Sequence, residues 1–140
     1  MDAQNLHATS KRTDDMQVLI VDSNIIFAKR VAKFLKENKK EEVNVEFAQN
    51  VPILQRRLRT NNYDYIIADV VSAFDSDGMT DALKTVQTPT IVWSVTNSPK
   101  EIYETFCHHL SKRVIEKPSS EQGIAETMAS ISSLMLPAVR

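Results

Sequence analysis

Four polar side chains close short apolar segments of this chain. Asp22 follows MQVLIV, Asp69 ends YDYIIAD, Ser94 ends PTIVWS, and Lys117 comes just after RVIE. Two carboxylates brought face to face repel each other, and a divalent cation makes the pairing favourable; hard oxygen ligands at a crevice are the expected partners of magnesium. A lysine ammonium is a compact point charge toward the same carboxylate or a phosphoryl oxygen. A serine hydroxyl can donate a hydrogen bond to that oxygen. The four make one site only if the fold gathers them.

The intervening segments supply such a fold. MQVLIV reads as a buried strand, and then Phe27, Val31, Phe34 and Leu35 fall on one face of a helix over about 24–37. The alternation repeats. VNVEFA (43–48) is a strand, and Val51, Leu54 and Leu58 lie on a helix closing at Asn61 and Asn62. YDYIIAD (63–69) is a strand, followed by a helix bearing Met79, Leu83 and Val86; PTIVWS (89–94) is a strand with proline at its start, where the missing amide donor costs least. A fourth helix over about 99–110 would bury Ile102, Phe106 and Leu110. A short strand follows at about 113–115, and a last helix carries Ile124, Met128, Ile131 and Met135. Five strands alternating with helices predict a flavodoxin-like, doubly wound, five-stranded parallel sheet with helices on both faces. In such sheets the reactive loops lie beyond the carboxyl ends of the strands, where the winding reverses. All four residues belong to that end.

From about 17 to 133 the chain resembles the response-regulator receiver domains, through VLIVDS, YDYIIAD, PTIVWS and EKP. The resemblance implies that Asp69 accepts a phosphoryl group from a histidine kinase or phosphotransfer protein. It implies a magnesium ion held by Asp22, Asp69 and the backbone carbonyl of Val71, with Ser94 and Lys117 contacting the phosphoryl group. Such a protein catalyses at most its own phosphorylation and dephosphorylation. The proline after the lysine, Pro118, matches as well, and the family often has that peptide bond in cis.

Several positions depart from the pattern. The family usually has two acidic residues after the first strand, and this chain has Asp22 followed by Ser23. Losing a carboxylate weakens a magnesium site; Ser23 or Asn24 instead serves as a helix cap, and Ser23 can still reach a metal through water. Ser72 and Ala73 stand where a Met-Pro pair is usual, and Asp77-Gly78 comes about one residue late. Val114 occupies the place of an aromatic switch residue, and the usual Gly-Ala pair before the fifth strand is missing. These losses fit a rival reading on the same fold, a degenerate receiver acting as a phosphorylation-independent interaction module.

Composition narrows the remaining classes. Among 140 residues, 42% apolar and 25% charged, 17 Lys and Arg face 18 Asp and Glu, so no basic excess suggests direct nucleic-acid or membrane binding. The single Cys107 cannot form an internal disulfide, and no apolar run approaches a membrane span, so a cytoplasmic protein is expected. Residues 1–15 are expected to be a flexible tail, 16–136 one receiver domain and 137–140 the end, with no output domain. Signalling would then use a separate protein target or self-dimerisation, through the face formed by the fourth helix, the fifth strand and the last helix. A flavodoxin-like ligand-binding protein or hydrolase is disfavoured. The only glycines, Gly78 and Gly123, do not follow the first strand, and no Gly-x-Ser-x-Gly is present. His108 and His109, adjacent on a helix, point in different directions and read as surface or capping residues. Trp93 reads as core or crevice wall, and QRRLR (55–59) as a solvated face.

In the family the side chain two residues after the acceptor can orient the attacking water, and Val71 offers no polar group. Any acyl phosphate on Asp69 should be long-lived, and Val71→Asn should shorten its half-life in a dephosphorylation time course; an unchanged or longer half-life refutes this.

Overall fold

The computed structural model describes residues 15–38, 42–70, 78–94, 104, 106 and 112–134, without the side chains at 38, 94 and 132–134. Its elements are β1 (Met16–Val21), α1 (Ile25–Asn38), β2 (Val43–Ala48), α2 (Val51–Thr60), β3 (Tyr65–Asp69), α3 (Met79–Lys84), β4 (Thr90–Ser94), β5 (Lys112–Glu116) and α4 (Glu121–Leu134). The helix expected over 99–110 lies outside the described residues except at Glu104 and Phe106, both helical. The N-terminal residues 1–14, the loop 71–77, the two histidines, Cys107 and the end beyond 134 also lie outside them.

All strand pairs are parallel, in the order β2-β1-β3-β4-β5. This is the flavodoxin-like doubly wound order, with its reversal beside β1. Because successive strand residues point to opposite faces, each strand serves two cores. On one face Val18, Ile20, Ile67, Ile91 and Trp93 pack with Val31 and Leu35 of α1 and Ile124, Met128 and Ile131 of α4. On the other, Leu19, Val21, Ile66, Ala68 and Val92 pack with Leu54 of α2, Leu83 of α3 and Phe106. Burying each large apolar side chain contributes roughly 1.5–3 kcal/mol. The strand sequences are therefore almost continuously apolar.

Local chemistry sets the boundaries. Asn50 Oδ1 accepts the Ile53 amide at 2.9 Å and caps α2, while Pro52 sits in the first turn, where its missing amide leaves no helical bond unmade. Gly78 begins α3 at φ +82°, a left-handed conformation that favours glycine. β4 starts at Thr90 rather than Pro89, which contributes its carbonyl instead, accepting the Ile66 amide at 3.0 Å. β5 extends one residue further at each end than expected, and α3 stops at Lys84, short of Val86. Arg57 is not simply solvated, since its Nε donates to the Phe47 carbonyl at 3.0 Å.

β3 starts at Tyr65, two residues later than the apolar pattern suggests. Asp64 spends its carboxylate on the Gln17 amide at 2.8 Å, and the Tyr63 hydroxyl donates to Glu46 Oε1, which also accepts from Asn61 Nδ2 at 3.0 Å. Burial and the bond to the Glu46 carboxylate push the Tyr63 phenol from 10.0 up to about 12. A phenol whose pKa is raised by folding adds stability that is fully present below pH 10 and is lost as pH rises through about 12. Urea unfolding should show stability falling across this window, with a shallower fall in Tyr63→Phe. An identical slope in the variant would contradict the assignment.

Candidate functional site

The site follows from the register of the two central strands. Val21 of β1 lies opposite Ala68 of β3, so the next residue on each, Asp22 and Asp69, emerges side by side at the carboxyl end of the sheet. Both are largely buried, with side-chain exposures of 1% and 10%. Two such carboxylates need compensation. Lys117, one residue beyond β5, provides it: its Nζ lies 2.9 Å from Asp22 Oδ2 and 3.3 Å from Asp69 Oδ1, with the lysine side chain 9% exposed.

Asp22 is held on both oxygens. The Asn24 amide donates to Oδ1 at 2.8 Å, and Lys117 takes Oδ2. Asn24 Oδ1 in turn accepts the Phe27 amide at 3.1 Å, so Asn24 is the residue that caps α1 and Ser23 is left exposed at the rim. Asp69 is less well served. Its Oδ1 is buried and, among the described residues, accepts no hydrogen bond of good geometry, leaving the Lys117 charge as its compensation. Burial pushes the Asp69 carboxyl above its ordinary 3.8; the Lys117 charge works against that shift and the Asp22 charge adds to it.

Two carboxylates against one ammonium leave a net negative charge in a sheltered site. Together with the orphaned Asp69 oxygen, that excess suits a hard cation bound with several waters. Among the described residues no group of three or more acidic, histidine or cysteine side chains could hold a metal alone. A cavity of about 170 Å³ opens beside the carboxylates, lined by Ser23, Gln49, Asn50, Val51, Pro52 and Met79 as well as Asp22 and Asp69.

The structure therefore gathers Asp22, Asp69 and Lys117, with Ser23 on the cavity wall. Ser94 ends β4, its backbone paired with Glu116 one residue beyond the Asp69–Trp93 pair; its side chain, like Val71, lies outside the described residues. The Lys117–Pro118 bond is trans, as are all described peptide bonds, unlike the cis form the resemblance suggests. Gln49 and Asn50 were not evident as site residues. Their only signal is position, since they follow the carboxyl end of β2 at the same edge of the sheet.

Because the Asp69 carboxyl is raised by burial, its charged form destabilises the fold at neutral pH, and the stability it offers when protonated is lost as pH rises through the folded pKa. Asp69→Asn, nearly isosteric and uncharged, should raise the unfolding midpoint at pH 7, with a gain that shrinks as pH falls toward the ordinary carboxylate range. A lower midpoint at pH 7 would show that the Lys117 contact outweighs the burial and repulsion.

The sequence matches no protein-family model and no curated protein. Solved structures do match it. The phosphorylated cyanobacterial phytochrome response regulator RcpA superposes with a TM-score of 0.72 at 16% identity, covering 89% of this chain and 96% of that one. The chemotaxis response regulator CheY4 of Vibrio cholerae gives 0.63 at 21% identity, covering 86% and 98%. A response regulator from Burkholderia pseudomallei, with a phosphorylated aspartic acid, calcium ion and citrate, gives 0.59 at 16% identity, covering 86% and 70%. Strand order, two-sided helical cover and these superpositions agree, and the chain has the fold of the response-regulator receiver domains.

Proposed function

We propose that residues 16–136 of this protein form a receiver domain that takes a phosphoryl group on Asp69 and signals by docking. The observation that carries this reading is the Lys117 ammonium lying between two buried carboxylates at the reversal of the sheet, 2.9 and 3.3 Å away, with one Asp69 oxygen otherwise unserved among the described residues. The related folds include two proteins described as phosphorylated, one of them on an aspartic acid and with calcium.

In the proposed reaction an Asp69 oxygen attacks the phosphorus of a phosphohistidine on a sensor kinase or phosphotransfer protein. An O–P bond forms, the P–N bond breaks, and the imidazole keeps the bonding pair and takes up a proton. Magnesium, when bound by Asp22, Asp69 and the Val71 carbonyl, with Ser23 reached through water, supplies positive charge against the transferring oxygens. Lys117 moves its charge from the Asp69 carboxylate to a phosphoryl oxygen as that charge migrates, and the Ser94 hydroxyl donates to another. The modified form then shifts a conformational equilibrium that a protein target, or a second copy, reads on the side of the sheet edge carrying β5 and α4. No described helix is long and apolar enough to cross a membrane, and a cytoplasmic setting accords with this chemistry.

One observation favours the rival, a degenerate receiver that binds partners unmodified. Both Asp22 oxygens are already engaged, one by the Asn24 amide and one by Lys117, so a metal must compete for them. Incubation with acetyl phosphate and magnesium, followed by intact mass spectrometry, separates the two readings. A single phosphoryl adduct that vanishes in Asp69→Asn is expected. Folded protein that gains no adduct at saturating magnesium would leave the degenerate reading.

A further inference from the structure

The Lys117 ammonium has a third neighbour that is not an acid. The Phe27 ring lies beneath it, with Nζ 4.4 Å from the ring centroid. The ring itself is fixed edge-on against Trp93, at 5.9 Å between centroids and 72° between planes. An ammonium has three N–H groups. Among the described residues it meets two carboxylates and an aromatic face, and the electron-rich face of a ring attracts a cation, most strongly where water is excluded. With its side chain only 9% exposed, Lys117 meets that condition.

We infer that Phe27 is a positioning residue for Lys117, holding the ammonium against the Asp22–Asp69 pair through a cation–π contact. The role rests on the phosphoryl-transfer reading above and adds two consequences to it. First, the ring offers no acceptor for the lysine protons, so it steadies the ammonium without tying it to a third hydrogen bond. Lys117 can leave Asp69 for a phosphoryl oxygen while staying over the ring. Secondly, by stabilising a resident cation beside both carboxylates, the ring disfavours a second cation there. Phe27 therefore promotes phosphoryl transfer and weakens magnesium binding.

Those opposite signs distinguish positioning from support of the fold, because a damaged site loses both functions together. Phe27→Leu keeps an apolar side chain and removes the ring. Phe27→Tyr keeps the ring face. In Phe27→Leu, calorimetric titration should give magnesium binding roughly 3- to 10-fold tighter, and the initial rate with acetyl phosphate at saturating magnesium should fall by a similar factor. Phe27→Tyr should restore both toward the wild type. A third measurement needs neither metal nor phosphodonor: a double-mutant cycle in urea unfolding with Phe27→Leu and Lys117→Met, where a coupling of roughly 3- to 10-fold in the unfolding equilibrium constant is expected. No coupling in that cycle overturns the contact. Coupling present, with magnesium affinity and rate falling together in Phe27→Leu, overturns the positioning role. Coupling present in a wild-type protein that takes up no phosphoryl group overturns the transfer reading and the role built on it, while the contact stands.

Discussion

A nearly buried ammonium shared by two nearly buried carboxylates is the constraint around which this molecule is arranged. Removing any one of three such charges from water is expensive, and mutual attraction compensates only when the geometry is close and the leftover lone pairs are satisfied. Here the compensation is incomplete. Asp22 has a donor on each oxygen, whereas the Asp69 Oδ1 has the Lys117 charge at 3.3 Å and no well-formed hydrogen bond among the described residues. The unsatisfied member is the one that the proposed reaction uses. Reactive groups are often kept this way, because an oxygen fully engaged by the protein has little to offer a substrate.

The sheet makes the arrangement possible by separating structural from chemical work along each strand. From Val18 to Val21 every β1 side chain is buried on one face or the other, and the same alternation runs through Ile66, Ile67 and Ala68 of β3. At the carboxyl ends of the two central strands polarity returns, at Asp22 just past β1 and at Asp69, the last residue of β3. The register of β1 with β3 then leaves them no freedom to separate, since sliding one strand by a residue would turn its apolar side chains to the wrong core. Lys117 arrives from the far edge, through β5 paired on β4. The charge cluster thus depends on the pairing of β1, β3, β4 and β5 at once.

Much of this was legible in the sequence, for definite reasons. An apolar run ending in Asp marks both a buried strand and its exposed end, which is why Asp22 and Asp69 could be placed before any coordinates. The periodicity of α1, α2 and α4 followed from spacing, and Val31, Leu35, Leu54, Ile124, Met128 and Ile131 are buried where that spacing puts them. What was not legible depends on contacts between distant segments. Phe27 reads as one more apolar residue on a helical face, and nothing local reveals an ammonium ninety positions away above its ring. Ser23 and Asn24 are both good caps by type, and only the 3.1 Å bond from the Phe27 amide to Asn24 Oδ1 separates them. Tyr63 looks like a strand residue because aromatic residues favour strands, yet its hydroxyl is drawn to Glu46 and the strand starts later.

The serine after Asp22 is best understood through this charge balance. With a second carboxylate at that position the site would hold three negative charges against one lysine, and only a tightly bound divalent ion would relieve the repulsion. With Ser23 exposed and uncharged there, one ammonium already offsets half of the negative charge, and Phe27 lends its ring face to the same ammonium. The lost carboxylate and the aromatic seat for Lys117 act in one direction, toward a site that is stable without a metal. Asn24 completes the change: with no second acid to orient, the turn after β1 uses its amide to fix Asp22 and its side chain to begin α1. Such a site carries much of its own charge compensation, and in the proposed reaction it must give up part of that compensation before a metal or a phosphoryl group could enter.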